Sequence, residues 1–131
     1  LDVIDQAFDR AFVAICGNYS EKKAEKYSEL AKQIKGIVQE NYHDSSLNSQ
    51  RIADMIQMNN AYLGRMFKNS YGRSINDYIN TCRLEESMRL LRQTDMSVEE
   101  IAQNVGFSNI KYFYVLFKKL TGITPATYRA G

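Results

Sequence analysis

The side chains able to do chemistry in this 131-residue chain exclude more than they offer. There is one histidine, His43, and the two cysteines, Cys16 and Cys82, stand far apart with no C-x-x-C neighbour. One imidazole and two isolated thiols make neither a zinc set nor a disulfide framework. A Gly-rich phosphate loop is missing, and so is a nucleophile–base pair with an orienting third residue, so no catalytic residue, metal or cofactor is expected. His43 reads as a partly exposed residue near a helix end, and Cys82 as a small core residue. What remains is short polar side chains and cations at helical spacing: Asn59, Asn60, Arg65 and Lys68 in one stretch, Ser108, Asn109, Lys111 and Lys118 in another. Amide and guanidinium groups can hydrogen-bond base edges, and Lys and Arg can neutralise phosphates. Neither stretch carries a carboxylate although the chain holds 15 acids. An acid there would repel a polyanion, so its absence carries more weight than the formal net charge of +2.

The elements that position these groups form a repeat. Ile52-Ala53, Ile56, Met58, Tyr62-Leu63, Met66-Phe67-Lys68, Gly72, Ser74 and Tyr78 return as Ile101-Ala102, Val105, Phe107, Tyr112-Phe113, Leu116-Phe117-Lys118, Gly122, Thr124 and Tyr128. The offset is 49 residues before the inner turn and 50 after it, so the second copy has one extra turn residue. Asn48 and Ser97 occupy matching N-cap positions, and Ser97-x-x-Glu100 is a capping box. Leu47 and Met96 precede the caps and can staple onto Ile52 and Ile101. A small Ala in each short helix lets a neighbour approach, and Gly106 suits a positive-φ corner that Gln57 occupies in the first copy. The second helix of each copy is expected to bury Leu63, Met66 and Phe67, or Phe113, Leu116, Phe117 and Leu120. Two short helices joined by a 3–4-residue turn in this pattern make a helix-turn-helix, with recognition helices at about 59–70 and 108–121.

Between the copies, Ser74 caps a helix to about Gln93 with apolar Ile75, Tyr78-Ile79, Cys82 and Leu90-Leu91. At ~1.5 Å per residue it spans ~30 Å, which suits two recognition helices one DNA turn apart. Thr124-Pro125 opens a short last helix carrying Tyr128 and Arg129. Ahead of the repeat, residues 2–16 form an amphipathic stripe closed by Gly17-Asn18, and Ser20 can cap a second helix. In that helix Ala24, Tyr27, Ala31, Ile34 and Val38 either line a dimer seam or lie on the chain's own domain. Gly36 is expected to loosen or end it before a separate helix at 37–42. Residues 1–40 hold 6 Lys/Arg and 7 Asp/Glu and residues 41–131 hold 11 and 8, a neutral leader before a basic double lobe. Apolar runs are too short for a membrane span. Because the first residue is Leu1 and not Met, the chain reads as a piece of a larger protein.

On these motifs, residues ~34–129 resemble the C-terminal DNA-binding domain of the AraC/XylS family of bacterial transcription regulators. The match runs through Ile101-Ala102-x-x-Val105-Gly106-Phe107-Ser108-Asn109-x-x-Tyr112-Phe113-x-x-x-Phe117-Lys118-x-x-x-Gly122-x-x-Pro125-x-x-Tyr128-Arg129, with Tyr62-Leu63-x-Arg65-x-Phe67-Lys68, Tyr78-Ile79 and Arg83-Leu84. The resemblance implies an all-α fold: two helix-turn-helix subdomains joined by a central linker helix, preceded by one or two amphipathic helices. Its divisions would be a leader at 1–33 and a DNA-binding domain at 34–131, the latter with a first lobe at 34–73, the linker at 74–93 and a second lobe at 94–131. Carried over residue by residue, base contacts fall on Asn60, Ala61, Gly64, Arg65, Asn109, Ile110, Lys111, Tyr114 and Val115, and phosphate contacts on Lys68, Arg73 and Lys118. Departures from the family pattern are Val115, Tyr114, Gly64 and Ser87. The implied partners are double-stranded promoter DNA and RNA polymerase, with a homodimer formed through the N-terminal helices or a preceding domain, and an unknown effector. The implied location is the cytoplasm at the nucleoid, with membrane anchoring left to any missing N-terminal part. The rival reading is a helical protein-interaction module that uses the same fold without specific DNA readout.

Overall fold

The computed structural model describes residues 21–131, so the expected helix at 2–16, its Gly17-Asn18 stop, Cys16 and the Ser20 cap lie outside the described residues. Seven helices are found among the described residues: α1 (Glu21–Asn41), α2 (Ser49–Ile56), α3 (Asn60–Tyr71), α4 (Ile75–Gln93), α5 (Val98–Asn104), α6 (Ile110–Thr121) and α7 (Pro125–Ala130). No strand occurs among them. The architecture is all-α, with α2–α3 and α5–α6 as the two helix-turn-helix units and α4 between them.

Each helix from α2 onward starts where a short polar side chain satisfies a free N–H of its first turn. Asn48 accepts from Arg51 N–H, Asn59 from Tyr62, Ser74 from Asp77, Ser97 from Glu100, Asn109 from Tyr112 and Thr124 from Thr127. Gly72 and Gly122 close α3 and α6, donating back to the Lys68 and Lys118 carbonyls. The inner turns are alike: Gln57 and Gly106 both have positive φ, 62° and 111°. The following N–H, of Met58 or Phe107, returns at 2.9 Å to the small Ala, Ala53 or Ala102. The extra residue of the second copy is Ser108, inserted just after this shared turn.

Two cores sit side by side. The first gathers Ile34, Val38, Ile52, Leu63, Met66 and Phe67 with Ile75, Ile79 and Cys82 of α4. The second gathers Ile101, Val105, Phe107, Phe113 and Phe117 with Leu84 and Leu91 of α4. The linker helix thus changes allegiance between Cys82 and Leu84, about 100° of helical turn per residue, and belongs to both lobes.

Two expectations are corrected, on Gly36 and on Leu120, and of the two readings of the α1 stripe the own-domain one holds. Gly36 does not break α1, which runs unbroken from Glu21 to Asn41. The ~1 kcal/mol cost of a mid-helix glycine is outweighed by burying Ala31, Ile34 and Val38 on one stripe. That stripe faces the chain's own first core, so these three positions are not available as a dimer seam. Leu120 is 40% exposed, and Leu116 is only half-buried. Tyr128 of α7 lies edge-on to Phe117, ring centroids 5.5 Å apart, and closes the lobe where Leu120 was expected.

Candidate nucleic-acid interface

The inward faces of α3 and α6 fix what their outward faces present. In α3 the buried residues are Leu63, Met66, Phe67, Ser70 and Tyr71; in α6 they are Phe113 and Phe117. At 100° per residue, the direction opposite these is occupied by Ala61, Arg65 and Lys68 in α3, and by Lys111, Val115 and Lys118 in α6. All six are exposed. The repeat relates them one to one, since 61, 65 and 68 plus the offset of 50 are 111, 115 and 118. The two faces are therefore the same three spokes filled differently: Ala-Arg-Lys in the first lobe, Lys-Val-Lys in the second. Gly64 and Tyr114 flank the spokes at equivalent places, both half-buried. Neither helix contains an acidic residue.

The remaining expected residues are placed as follows. Asn60 is the first residue of α3 and is half-buried. Asn109 is the N-cap of α6, with its amide oxygen held by Tyr112 N–H at 3.1 Å, which leaves only its NH2 end to face outward. Ile110 packs its side chain against the second core. Arg73 lies beyond the end of α3, half-buried, and its guanidinium donates to Thr81 Oγ1 at 3.3 Å. The outward spokes come together on each helix, while Ile110 turns inward and Arg73 is tied to the linker.

Several positioning contacts have no short-range signature in the sequence. Asn80 Nδ2 of α4 donates to the Tyr112 hydroxyl at 3.3 Å, tying the first turn of the second recognition helix to the linker. Arg129 of α7 donates to the Leu91, Thr94 and Met96 carbonyls at 3.0, 3.2 and 2.6 Å, satisfying the open C-terminal end of α4. Arg83, in the middle of α4, holds the turn that follows α1: Nε donates to the Tyr42 carbonyl at 2.7 Å and Nη2 to the Asp44 carbonyl at 2.9 Å. Burial lowers the Arg83 pKa from its ordinary value, and its side chain, all donors and no acceptor, suits carbonyl partners. The Arg83-Leu84 and Tyr128-Arg129 motifs flag both arginines, but nothing local says which carbonyls they reach.

The family model described as a helix-turn-helix domain matches residues 52–131. The transcriptional regulatory protein YesN of Bacillus subtilis is 45% identical over 78 residues, which is 58% of this chain and 21% of that protein. The chain spans only 13% and 37% of two further regulators, from Bacillus subtilis and Escherichia coli. Among solved structures, the C-terminal domain of AraT, a response regulator from Geobacillus stearothermophilus, superposes with a TM-score of 0.74 at 30% identity, covering 77% of this chain and 84% of that one. The DNA-binding domain of the transcriptional factor AdpA, solved with a target DNA, superposes with a TM-score of 0.71 at 26% identity, covering 76% of this chain and 89% of that one.

Proposed function

The chain belongs to the helix-turn-helix family of AraC/XylS-type regulators, and from that premise we propose that it binds a specific double-stranded DNA site, with α3 and α6 in adjacent major-groove segments, to regulate transcription. One observation carries the reading: the repeat gives both second helices the same three outward spokes, two of them cationic on each helix and none a carboxylate. A major groove admits an α-helix and offers each base pair a distinct donor and acceptor pattern. Arg65 reads guanine through its two-pronged guanidinium, and Ala61 packs on a thymine methyl. Asn60, Gly64 and, on the second helix, Asn109, Lys111, Tyr114 and Val115 complete the base-facing set, with Ile110 supporting from below. Lys68, Arg73 and Lys118 hold phosphates and set the register. AdpA, a structural neighbour solved with its target DNA, supports the same use of this fold.

Contact with RNA polymerase, a signal received upstream and self-association belong to the same proposal. Because Ala31, Ile34 and Val38 are used by the first core, self-association would involve residues ahead of them or a preceding domain. No helix among the described residues is long and apolar enough to cross a membrane.

Selecting bound sequences from a random duplex pool tests the assignment. The wild type should select a two-part site about one helical turn in period. Arg65→Ala should lose a guanine preference at one position, about 1–3 kcal/mol of discrimination, and leave the other positions as they were. A selected site unchanged at every position would show that Arg65 does not read a base.

A further inference from the structure

The two lobes meet at a buried point around Arg83, outside the recognition faces. Arg83 of α4 is only 7% exposed. Its two hydrogen bonds hold the C-terminal end of α1 through the Tyr42 and Asp44 carbonyls. One turn further along α4, Glu86 accepts from the Tyr42 hydroxyl at 3.1 Å and pairs with Arg89, so the same corner of α1 is fastened twice. The turn of the second helix-turn-helix rests on this assembly. A methyl group added at Gly106 would lie 2.7 Å from Arg83 Nε and inside van der Waals contact with the Tyr42 carbonyl oxygen, and the Phe107 ring lies 5.8 Å from the guanidinium. Glycine at 106 therefore answers two demands at once, a φ of 111° and the close approach of another element's backbone. In the first copy Gln57 meets only the first demand, and it is exposed.

The position of this contact gives it leverage. Gly106 and Phe107 lie three to four residues before α6 begins at Ile110. The start of α6 is held a second time by Asn80 to the Tyr112 hydroxyl. The end of α1, which is packed in the first core, is thus connected to the segment leading into α6 through the Arg83 side chain and the Gly106 backbone.

We propose that the Tyr42–Arg83–Gly106 joint fixes the angle between the two recognition helices, making Arg83 and Gly106 positioning residues that decide which spacing between DNA half-sites the protein accepts. The half-site consequence rests on the DNA-binding reading above; the joint itself does not. Two half-sites bound by one rigid body reinforce each other only when both can be engaged together, a factor of about 10²–10⁴ that vanishes when geometry forbids it. A shift of two base pairs turns a half-site by roughly 70° around the duplex at about 10.5 base pairs per turn, enough to break simultaneous engagement.

The test has two arms. In the first, spin labels at the exposed, repeat-related positions Asn69→Cys and Lys119→Cys report the distance between α3 and α6 in the full chain, with Cys16 and Cys82 replaced by Ser. The reference protein should give one narrow distribution, and Arg83→Lys or Gly106→Ala should displace or broaden it while the helical circular dichroism is retained. Gly106→Ala keeps every charge, and it carries the test if Arg83→Lys does not fold. Identical distributions in a folded variant and the reference overturn the joint. In the second arm, affinity is measured for selected duplexes whose half-sites are moved apart or together by one to five base pairs. The wild type should show one optimum, with about tenfold or greater loss two base pairs away, and the variants a flattened or moved optimum with unchanged affinity for a first half-site alone. An equal loss on single and paired half-sites with the same optimum overturns the positioning role. If labels respond and no duplex is bound specifically, the joint stands and the DNA reading falls.

Discussion

At the scale of single residues, the two recognition helices differ most where they are most nearly equivalent. Arg65 and Val115 fill the same spoke, one a guanidinium and one an aliphatic group that is 63% exposed. A valine between Lys111 and Lys118 has nothing to hydrogen-bond, and against a groove floor its complement is the C5-methyl of thymine. Replacing thymines of the second half-site by deoxyuridine should weaken binding by about fourfold per contacted methyl, from ~0.8 kcal/mol per buried CH2-sized group. Val115→Ala should be indifferent to the replacement, and equal sensitivity of the two proteins would sink the assignment. Gly64 makes the complementary case. It lies inside α3, and a methyl group added there meets nothing within 4 Å. Gly64→Ala should therefore stabilise the fold by about 0.5–1 kcal/mol in urea unfolding, because alanine loses less backbone entropy in a helix. Weaker DNA binding by this more stable variant would show that the missing side chain leaves room for the duplex.

At the scale of elements, the inner turn separates what is local from what is not. Gln57 holds φ at 62°, a left-handed conformation that costs a side-chain-bearing residue about 1–2 kcal/mol. Gln57→Gly should recover part of this, about 0.5–1 kcal/mol after the larger entropy loss of glycine, read as a raised thermal midpoint with the fold unchanged. The sequence made this turn legible because the Gly106 copy advertises it and the repeat carries the inference to Gln57. The caps at Asn48, Ser74, Ser97 and Thr124 are legible because each acts on an N–H group three residues away, within reach of any sequence window, whereas Asn59 and Asn109 stand in the recognition stretches and prove to cap as well. Gly36 and Leu120 depart from expectation because local propensity and periodicity stop short of tertiary packing. One is overridden by the buried stripe of α1, and the other is displaced by a tyrosine from α7. The arginine latches were beyond reach, since Arg83 and Arg129 find carbonyls more than 30 residues away. Of the candidate site, the outward spokes could be read from helical period alone. The inward turn of Ile110 and the capping duty of Asn109 depend on where α6 starts, and a boundary is where periodicity says least.

At the scale of the whole molecule, a net charge of +2 predicts almost no attraction to a polyanion, yet the proposed function requires strong attraction. Placement resolves the conflict, because screening confines each exposed charge to about 8–10 Å at ordinary ionic strength, so a duplex senses the face it touches and not the sum. The outward cations of α3 and α6 act on that face; Glu99 and Glu100, in the first turn of α5, belong to another helix. Affinity should consequently fall steeply with salt, with a log–log slope of about −0.9 for every phosphate neutralised. Lys68→Ala and Lys118→Ala should each reduce the magnitude of that slope by about 0.9, and together by about 1.8, since they stand on separate lobes and share no partner. Their loss should weaken selected and random duplexes alike, because a phosphate contact holds register and carries no base information. Arg65→Ala should do the opposite, narrowing the gap between selected and random sequence. A flat salt dependence in the wild type would leave the acid-free faces without a polyanion to explain them, and the interaction-module reading would then account for the repeat better than DNA does.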